Sequence, residues 1–169
     1  DVAPGNEGLG PLAADHIQAM YEFDDEVTGY FSTRRNSGPG GEGRFGLRII
    51  GETGQIELMM GYLPPVTILQ DALWSPGRSG KKWQPVSSLG IGEAEPLEDL
   101  GLAGGNTLAC ADLIAAVEED RQPEASIYEA RTTVEMISAV FESHRLKRPV
   151  NLPLSNRTHP LLNVVWTDA

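Results

Sequence analysis

The chain has 169 residues, of which 24 are acidic and 13 are Lys or Arg, so its formal net charge at pH 7 is −11. An acidic chain without a basic stripe repels phosphate backbones and anionic lipid, which excludes nucleic acid and membrane surfaces as expected partners. The length suits a single domain with a real hydrophobic core. We therefore treat residues 1–169 as one domain, with residues 1–14 as a loop-like lead-in.

The cysteine content and the N-terminus indicate the cellular setting. Because Cys110 is the one cysteine, an intramolecular disulfide is impossible. It lies among apolar residues of a predicted helix, which favours a buried role. No apolar run approaches the length of a membrane span, and the opening segment, DVAPGNEGLG, lacks the features of a signal peptide. We expect a cytoplasmic protein. Because the lead-in does not start with Met, we also expect the chain to be part of a longer protein.

The first half of the chain predicts β-strands, because apolar and polar residues alternate in short runs separated by turn residues. A hairpin is expected first, followed by the glycine-rich connection Asn36–Gly43 and a second strand pair around Glu52-Thr53-Gly54. Two shorter strands follow. The predicted strands are His16–Phe23, Val27–Thr33, Arg44–Ile50, Gln55–Met60, Val66–Gln70 and Lys82–Val86.

The second half predicts two helices after an acidic, glycine-rich loop at Ser87–Gly105. Asn106 is expected to cap a helix that runs to about Asp120. Ser126 and Glu129 have capping-box spacing and predict the start of a longer helix. Basic residues gather at its C-terminal end, where they compensate the helix dipole, and Pro149 is expected to end the helix because it disfavours a helical conformation at the residue before it. The expected buried faces are Cys110, Leu113, Ile114 and Val117 in the first helix, and Ile127, Ala130, Val134, Ile137 and Phe141 in the second.

This order of elements predicts an α+β fold with an open, mostly antiparallel sheet and helices packed on one face. In the second strand pair, apolar residues occupy neighbouring positions and are therefore expected on both faces of the sheet. Ile49 is next to Ile50, and Leu58 is next to Met59. A sheet that is apolar on both faces needs a second cover, so we expect a homo-oligomer formed through the open sheet face. The alternative is that loops such as Leu89–Leu102 cover this face.

Known sequence motifs give no catalytic or cofactor site. Three windows fit the dinucleotide-binding glycine pattern, but none lies between a strand and a helix, as pyrophosphate binding requires. The three histidines are scattered without a metal-binding motif, so no metal is expected, and no nucleophile elbow is present. Gly104 and Gly105 precede Asn106, a common N-cap residue, so this helix start is interpreted as a cap and not as an anion site. The three glycine windows are Gly8-Gly10-Ala13, Gly38-Gly40-Gly43 and Gly41-Gly43-Gly46.

A few basic residues remain as candidates for contact with a substrate. Arg34 and Arg35 follow a strand beside the glycine-rich connection, and their guanidinium groups suit carboxylates or sugar hydroxyls. Such a pair is also typical of a solvated strand end. Arg157 and His159 in the segment SNRTHPLL are candidates for lining a pocket.

Four segments together resemble the C-terminal domain of the glucose-fructose oxidoreductase, inositol dehydrogenase and MocA (Gfo/Idh/MocA) family. They cover most of residues 16–154, and their combination is more specific than any one of them. The segments are HIQAMYEFDDEVTGYFSTRR, LRIIGETGQIEL, ACADLIAAVEEDRQPEAS and YEARTTVEMISAVFESHRLKRPVNLPL.

The resemblance implies a function for the intact protein. In this family an N-terminal Rossmann domain binds NAD or NADP, and the C-terminal domain forms the substrate-side wall and the subunit interface. The intact protein would then transfer hydride between nicotinamide and a hydroxyl-bearing carbon of a sugar, polyol or related compound.

The chain departs from the family in its catalytic motifs. It lacks the family's E-K-P and D-x-x-x-H motifs, and Lys81, Lys82 and Lys147 lie outside any E-K-P. No catalytic or cofactor-binding residue is therefore expected here, and the chain alone is expected to be inactive. A free-standing, non-catalytic ligand-binding or protein-interaction module is the alternative.

Overall fold

The structure is a computed structural model that describes residues 16–24, 26–34, 46–59, 61–73, 78–158 and 160. In this part of the chain, two antiparallel sheets of two and five strands accompany two helices. The predicted α+β fold with an open antiparallel sheet is confirmed. The elements are β1 (His16–Glu22), β2 (Thr28–Arg34), β3 (Gly46–Ile50), β4 (Gln55–Met59), β5 (Val66–Leu69), β6 (Gln84–Ser87), β7 (Gly90–Ile91), α1 (Gly101–Glu118) and α2 (Ile127–Leu146).

The chain divides into two compact units. The first joins residues 1–41 to residues 125–169 and contains β1, β2, α2 and the tail after α2. The second spans residues 42–124 and contains the five-stranded sheet and α1. Each unit is described separately below, and the assignment of residues 1–169 to one domain stays a prediction.

The hairpin of the first unit forms where the sequence predicts it. Its register runs from the pair His16 and Arg34 to the pair Glu22 and Thr28. Beyond the last pair, the Phe23 N–H donates to the carbonyl of Val27 at 2.9 Å, which closes the turn. Alternation of apolar and polar residues therefore located both strands correctly.

The second unit is built around a five-stranded meander in which every strand pairs with its neighbours in the sequence. The N–H of Gly51 donates to the carbonyl of Gly54 at 2.9 Å and closes the turn between β3 and β4. A Cβ atom at Gly54 would collide with the carbonyl oxygen of Leu69 on β5, so this close approach requires glycine. The short strand β7 was not predicted, because two residues are too few for an alternation pattern.

Helix α1 begins at Gly101, and the prediction of a start at Asn106 was wrong. The carboxylate of Asp99, which precedes the helix, accepts the N–H of Gly101 at 2.8 Å. It binds a free N–H group of the first turn, which is the role that was expected of Asn106. Gly104 and Gly105 consequently lie inside the helix. Glycine disfavours a helix interior, which explains why the sequence predicted a later start.

The expected buried face of α1 is wrong as well. Leu113, Ile114 and Val117 are each more than half exposed, and Cys110 is exposed rather than buried. Ala116 is the buried residue of this helix. Within the described residues, α1 therefore does not provide the cover for the sheet that the sequence predicted.

Helix α2 confirms the predicted start but corrects the predicted buried face. Ser126 accepts the N–H of Tyr128 at 3.1 Å, and Glu129 accepts the N–H of Ser126 at 3.1 Å, which completes the capping box. Ile127 is 77% exposed and Val134 is 62% exposed, because both line an open groove rather than a core. The other members of the expected face are exposed at Ala130 and Ile137 and half-buried at Phe141, whereas Ala139 and Glu142 are buried.

Among the residues that the structure describes, no helix combines the length and the apolar character needed to cross a membrane.

Candidate functional site

One face of the five-stranded sheet is aliphatic from edge to edge. Successive side chains of a strand point to opposite faces, and residues paired across two strands point to the same face. The register pairs Leu47 with Leu58 and Ile49 with Ile56, and it continues this face through β5, β6 and β7. We call this surface the aliphatic face: Leu47, Ile49, Ile56, Leu58, Val66, Ile68, Val86 and Ile91.

The aliphatic face stays open in the second unit. Leu47 and Ile49 are each about half exposed, and Ile91 is 43% exposed. The loop Leu89–Leu102, the alternative cover, keeps Leu89, Leu97, Leu100 and Leu102 exposed. The structure therefore gives no support to this loop as the cover, and the apolar surface is larger than isolated exposed residues would be.

The opposite face is mixed, which corrects the expectation of a sheet that is apolar on both faces. Arg48 and Glu57 form an ion pair across β3 and β4, with 2.6 Å between Nη2 and Oε1. Ile50 and Met59 lie on the same face and are exposed. Leu69 also points to this face and is the most buried side chain of the unit. The sheet is therefore strongly apolar on one side only.

A polar cleft lies at the Gln84 end of the aliphatic face. Gln84 pairs with Ile68 in the register and is the polar residue of this face within the sheet. Together with Gln70, Lys81 and Lys82 it lines a cleft of about 380 Å³. Two glutamines and two lysines therefore line the cleft where the aliphatic surface ends.

A buried carboxylate, Asp71, contacts two residues that follow it in the sequence near this cleft. Asp71 accepts a hydrogen bond from the Ser79 hydroxyl, and it accepts the N–H of Leu73 at 3.0 Å. The hydrogen bond from Ser79 is the main reason that the pKa of Asp71 lies below its ordinary value. The ammonium group of Lys81 in turn donates to the carbonyl of Gln70 at 2.7 Å. These contacts hold the backbone on both sides of the cleft.

The first unit contains a groove of about 450 Å³ between α2 and the tail that follows it. Its apolar lining includes Ile127, Val134, Leu154 and Pro160. Glu135 holds the tail in place, because its carboxylate accepts the N–H of Leu154 at 2.7 Å and pairs with the guanidinium of Arg157 at 2.8 Å. The exposed side chains of Ile127, Ala130 and Val134 on α2 therefore line this groove.

A second carboxylate of α2 is also directed at the tail. Glu142 is buried and accepts two hydrogen bonds from Arg145, at 2.8 and 2.7 Å, and a longer one from Asn156 at 3.4 Å. The contact with Arg145 is the main reason that the pKa of Glu142 lies below its ordinary value. Glu135 and Glu142 together bind the tail at two points along the helix.

The structure places the substrate-contact candidates in different surroundings. Arg34 is exposed at the end of β2, opposite His16. Arg35 and His159 lie outside the described residues, so their roles stay predictions. Arg157 lines the groove and is paired with Glu135.

Sequence reasoning missed Gln70 and Gln84. The odd or even position of a residue along its strand decides which face of the sheet its side chain points to. This position shows that residues of two strands share a face only after the register between the strands is known.

Among the described residues, every strand pairs antiparallel with a neighbour in the sequence. A dinucleotide site needs a strand, a glycine-rich turn and a helix in direct succession, whereas all strand pairs here are antiparallel neighbours. The three glycine windows lie outside the described residues, apart from Gly46, which opens β3. Over the same part of the chain, no three His, Cys, Asp or Glu side chains come together to hold a metal ion.

These features define an α+β domain with an open antiparallel sheet, an aliphatic face and a polar cleft. A sequence model described as "Oxidoreductase family, C-terminal alpha/beta domain" matches residues 3–152. The chain belongs to this family, Gfo/Idh/MocA, and corresponds to its C-terminal domain. Comparison with curated proteins and comparison with solved structures each give no match.

Proposed function

We propose that the chain is the C-terminal domain of an NAD- or NADP-dependent oxidoreductase that acts on a sugar, a polyol or a related hydroxyl compound. In this proposal the five-stranded sheet supplies the substrate-side wall and the interface between subunits. In this proposal hydride transfer takes place outside this chain, because the described residues contain no strand, glycine-rich turn and helix in direct succession to bind a dinucleotide. Membership of the oxidoreductase family supports the reaction class. The single cysteine fits a cytoplasmic protein.

The aliphatic face is the observation that carries the interface role. Fully burying an exposed aliphatic side chain contributes roughly 1.5–3 kcal/mol. This face presents exposed aliphatic side chains on β3, β4 and β7, each with part of that area still to bury, and half-buried ones on β5 and β6. Aliphatic side chains cannot hydrogen-bond a polyol, so their natural partner is another apolar protein surface. A second copy of the chain offers such a surface with matching geometry, as symmetric interfaces require.

Neighbouring residues on β3 provide a matched test of this interface. Ile49 and Ile50 have the same side chain and similar exposure, but they point to opposite faces of the sheet. We expect Ile49→Glu to shift the chain toward monomer, because it places a charge in the interface, whereas Ile50→Glu leaves the oligomer intact. Light scattering coupled to size exclusion measures the mass of each variant over a range of protein concentrations.

Two results would contradict the interface role. One is a strictly monomeric wild-type chain at high concentration, and the other is equal dissociation by both substitutions. The alternative of a free-standing binding module is tested separately, by the coding sequence upstream of Asp1. The oxidoreductase proposal requires a strand, a G-x-G-x-x-G turn and a helix there, followed by E-K-P and D-x-x-x-H motifs. Their absence would favour the free-standing module.

A further inference from the structure

We propose that the polar cleft formed by Gln70, Lys81, Lys82 and Gln84 binds a small anion through carboxylate or phosphate oxygens. This inference goes beyond the proposed function, because it rests on the cleft alone and does not require the chain to be part of a dehydrogenase. The proposal follows from three properties of the cleft: its charge, its rigidity and its hydrogen-bond donors.

The charge around the cleft is opposite to that of the chain. The segment Gln70–Gln84 contains three basic residues and one acidic residue, although the chain as a whole has a net charge of −11. The one acid, Asp71, is buried and is engaged by Ser79 and by the N–H of Leu73. Its carboxylate is negatively charged and attracts the ammonium group of Lys81, so Lys82 carries the positive charge of the cleft that this acid does not directly offset. Lys82 forms no ion pair with the described residues, so its ammonium group is available to an incoming anion.

The backbone that carries these side chains is fixed from two directions. On one side, the turn between β3 and β4 approaches the peptide between Leu69 and Gln70 so closely that a Cβ atom at Gly54 would collide with the carbonyl oxygen of Leu69. On the other side, the ammonium group of Lys81 binds the carbonyl of Gln70 at 2.7 Å. Gln84 is held by its pairing with Ile68. A preorganised site loses less conformational entropy when a ligand binds.

The donors present in the cleft define the chemical class of the ligand. Lysine ammonium groups and glutamine amides donate to oxyanions, and charge-assisted hydrogen bonds of this kind are stronger than neutral ones. One contact of Lys81 is already used by Gln70, which leaves two of its N–H donors. The cleft therefore suits a compact anion such as phosphate or a sugar acid better than a neutral polyol.

Two-dimensional amide NMR of the whole chain tests this assignment at constant ionic strength. The probes are inorganic phosphate, gluconate and, as a neutral polyol, sorbitol. We expect saturable shifts in the side-chain amides of Gln70 and Gln84 with phosphate, gluconate or both, at a dissociation constant on the order of 1 mM. Saturation by phosphate alone identifies a phosphate group, and saturation by gluconate alone identifies a carboxylate.

Two substitutions that each remove one positive charge distinguish binding at the cleft from general electrostatic attraction of the anion to the chain. Lys82→Gln should weaken binding at least about threefold, because it removes a donor and a charge from the cleft. Lys147→Gln removes one positive charge from the exposed end of α2 and should leave the affinity unchanged. Lys82 is exposed, so the first variant is expected to fold, and amide signals outside the cleft verify this.

Three outcomes would overturn the proposal. They are shifts that fail to saturate by about 20 mM of either anion, sorbitol binding as strong as that of gluconate, and equal weakening by the two substitutions.

Discussion

Glu142 is a carboxylate that α2 holds almost completely out of solvent. Burial of a charged group is costly unless partners compensate for the loss of water, and Arg145 does so with two short hydrogen bonds. Asn156 adds a contact from the tail. The charged form of Glu142 is therefore favoured in the folded chain, and its pKa lies below the ordinary glutamate value.

This lowered pKa predicts an acid-dependent loss of stability. A depressed folded pKa stabilises the chain above the unfolded glutamate value of about 4.3, and the contribution disappears as the pH falls through the folded pKa. We expect Glu142→Gln to lower the urea midpoint at pH 7, with a difference from wild type that shrinks below about pH 4. The midpoint at each pH is measured by circular dichroism.

The exposed Glu22 on β1 provides the control for this experiment. Glu22→Gln makes the same chemical change outside the contact with Arg145, so it should leave the midpoint at pH 7 unchanged. A difference between Glu142→Gln and wild type that stays constant from pH 7 to acid would show that Glu142 does not act through its charge.

At the scale of elements, the hairpin and α2 are linked by one specific contact. The hydroxyl of Tyr21 on β1 donates to the carbonyl of Met136 on α2 at 3.2 Å. Partial burial of this hydroxyl raises the pKa of Tyr21 above its ordinary value. The contact thus joins two elements that are far apart in the sequence.

Removal of this hydroxyl should weaken the first unit. We expect Tyr21→Phe to lower the free energy of unfolding by about 1 kcal/mol, which is typical for one hydrogen bond. Tyr30 lies on the partner strand and is 80% exposed, so Tyr30→Phe should leave the stability unchanged. Urea denaturation gives both values, and equal effects of the two substitutions would show that the link to Met136 contributes nothing.

Helix α1 contains two adjacent glycines that should respond differently to alanine. A Cβ atom at Gly105 meets open space, whereas one at Gly104 collides with the side chain of Leu100. We expect Gly105→Ala to stabilise the helix by about 0.5–1 kcal/mol, because alanine loses less conformational freedom on folding. Gly104→Ala should give no such gain.

Hydrogen exchange of the α1 amides measures both glycine variants. If Gly105→Ala gave no added protection, or if both variants gave the same protection, the helix start at Gly101 would be in doubt.

At the scale of the whole molecule, the two compact units carry different features. The first holds the tail on α2 through Glu135 and Glu142, and the second presents the aliphatic face and the polar cleft. Neither set of described residues forms a strand-turn-helix unit for a dinucleotide. The proposed oxidoreductase activity therefore requires a nucleotide-binding unit outside the described residues.

This requirement predicts that the isolated chain does not bind NADH. The reason is that the backbone N–H groups and the helix N-terminus that hold a pyrophosphate are not brought together in the described residues. Calorimetric titration with NADH should show no binding in the micromolar range. Micromolar binding would contradict the proposal that the cofactor is held outside this chain, and titration of a known NADH-binding enzyme under the same conditions verifies the assay.

Local sequence patterns determined much of this fold. Alternation located β1 and β2, because a strand that is buried on one side needs an apolar residue at every second position. The turn residues between Ile50 and Gln55 located the pair β3 and β4. The pair Ser126 and Glu129 fixed the start of α2, since a capping box involves only backbone and side-chain groups within one turn. The four sequence segments together resembled the family that the sequence model then identified.

Tertiary structure decided which surfaces are covered. The faces of α1 and α2 that the sequence predicted to be buried are largely exposed, because an apolar face is buried only where a partner packs against it. The register brought Gln70 and Gln84 to one cleft, and folding of the tail brought Glu135 and Glu142 against Leu154 and Asn156. These outcomes depend on contacts between residues that are distant in the sequence, whereas the strands and the helix cap depend on neighbours.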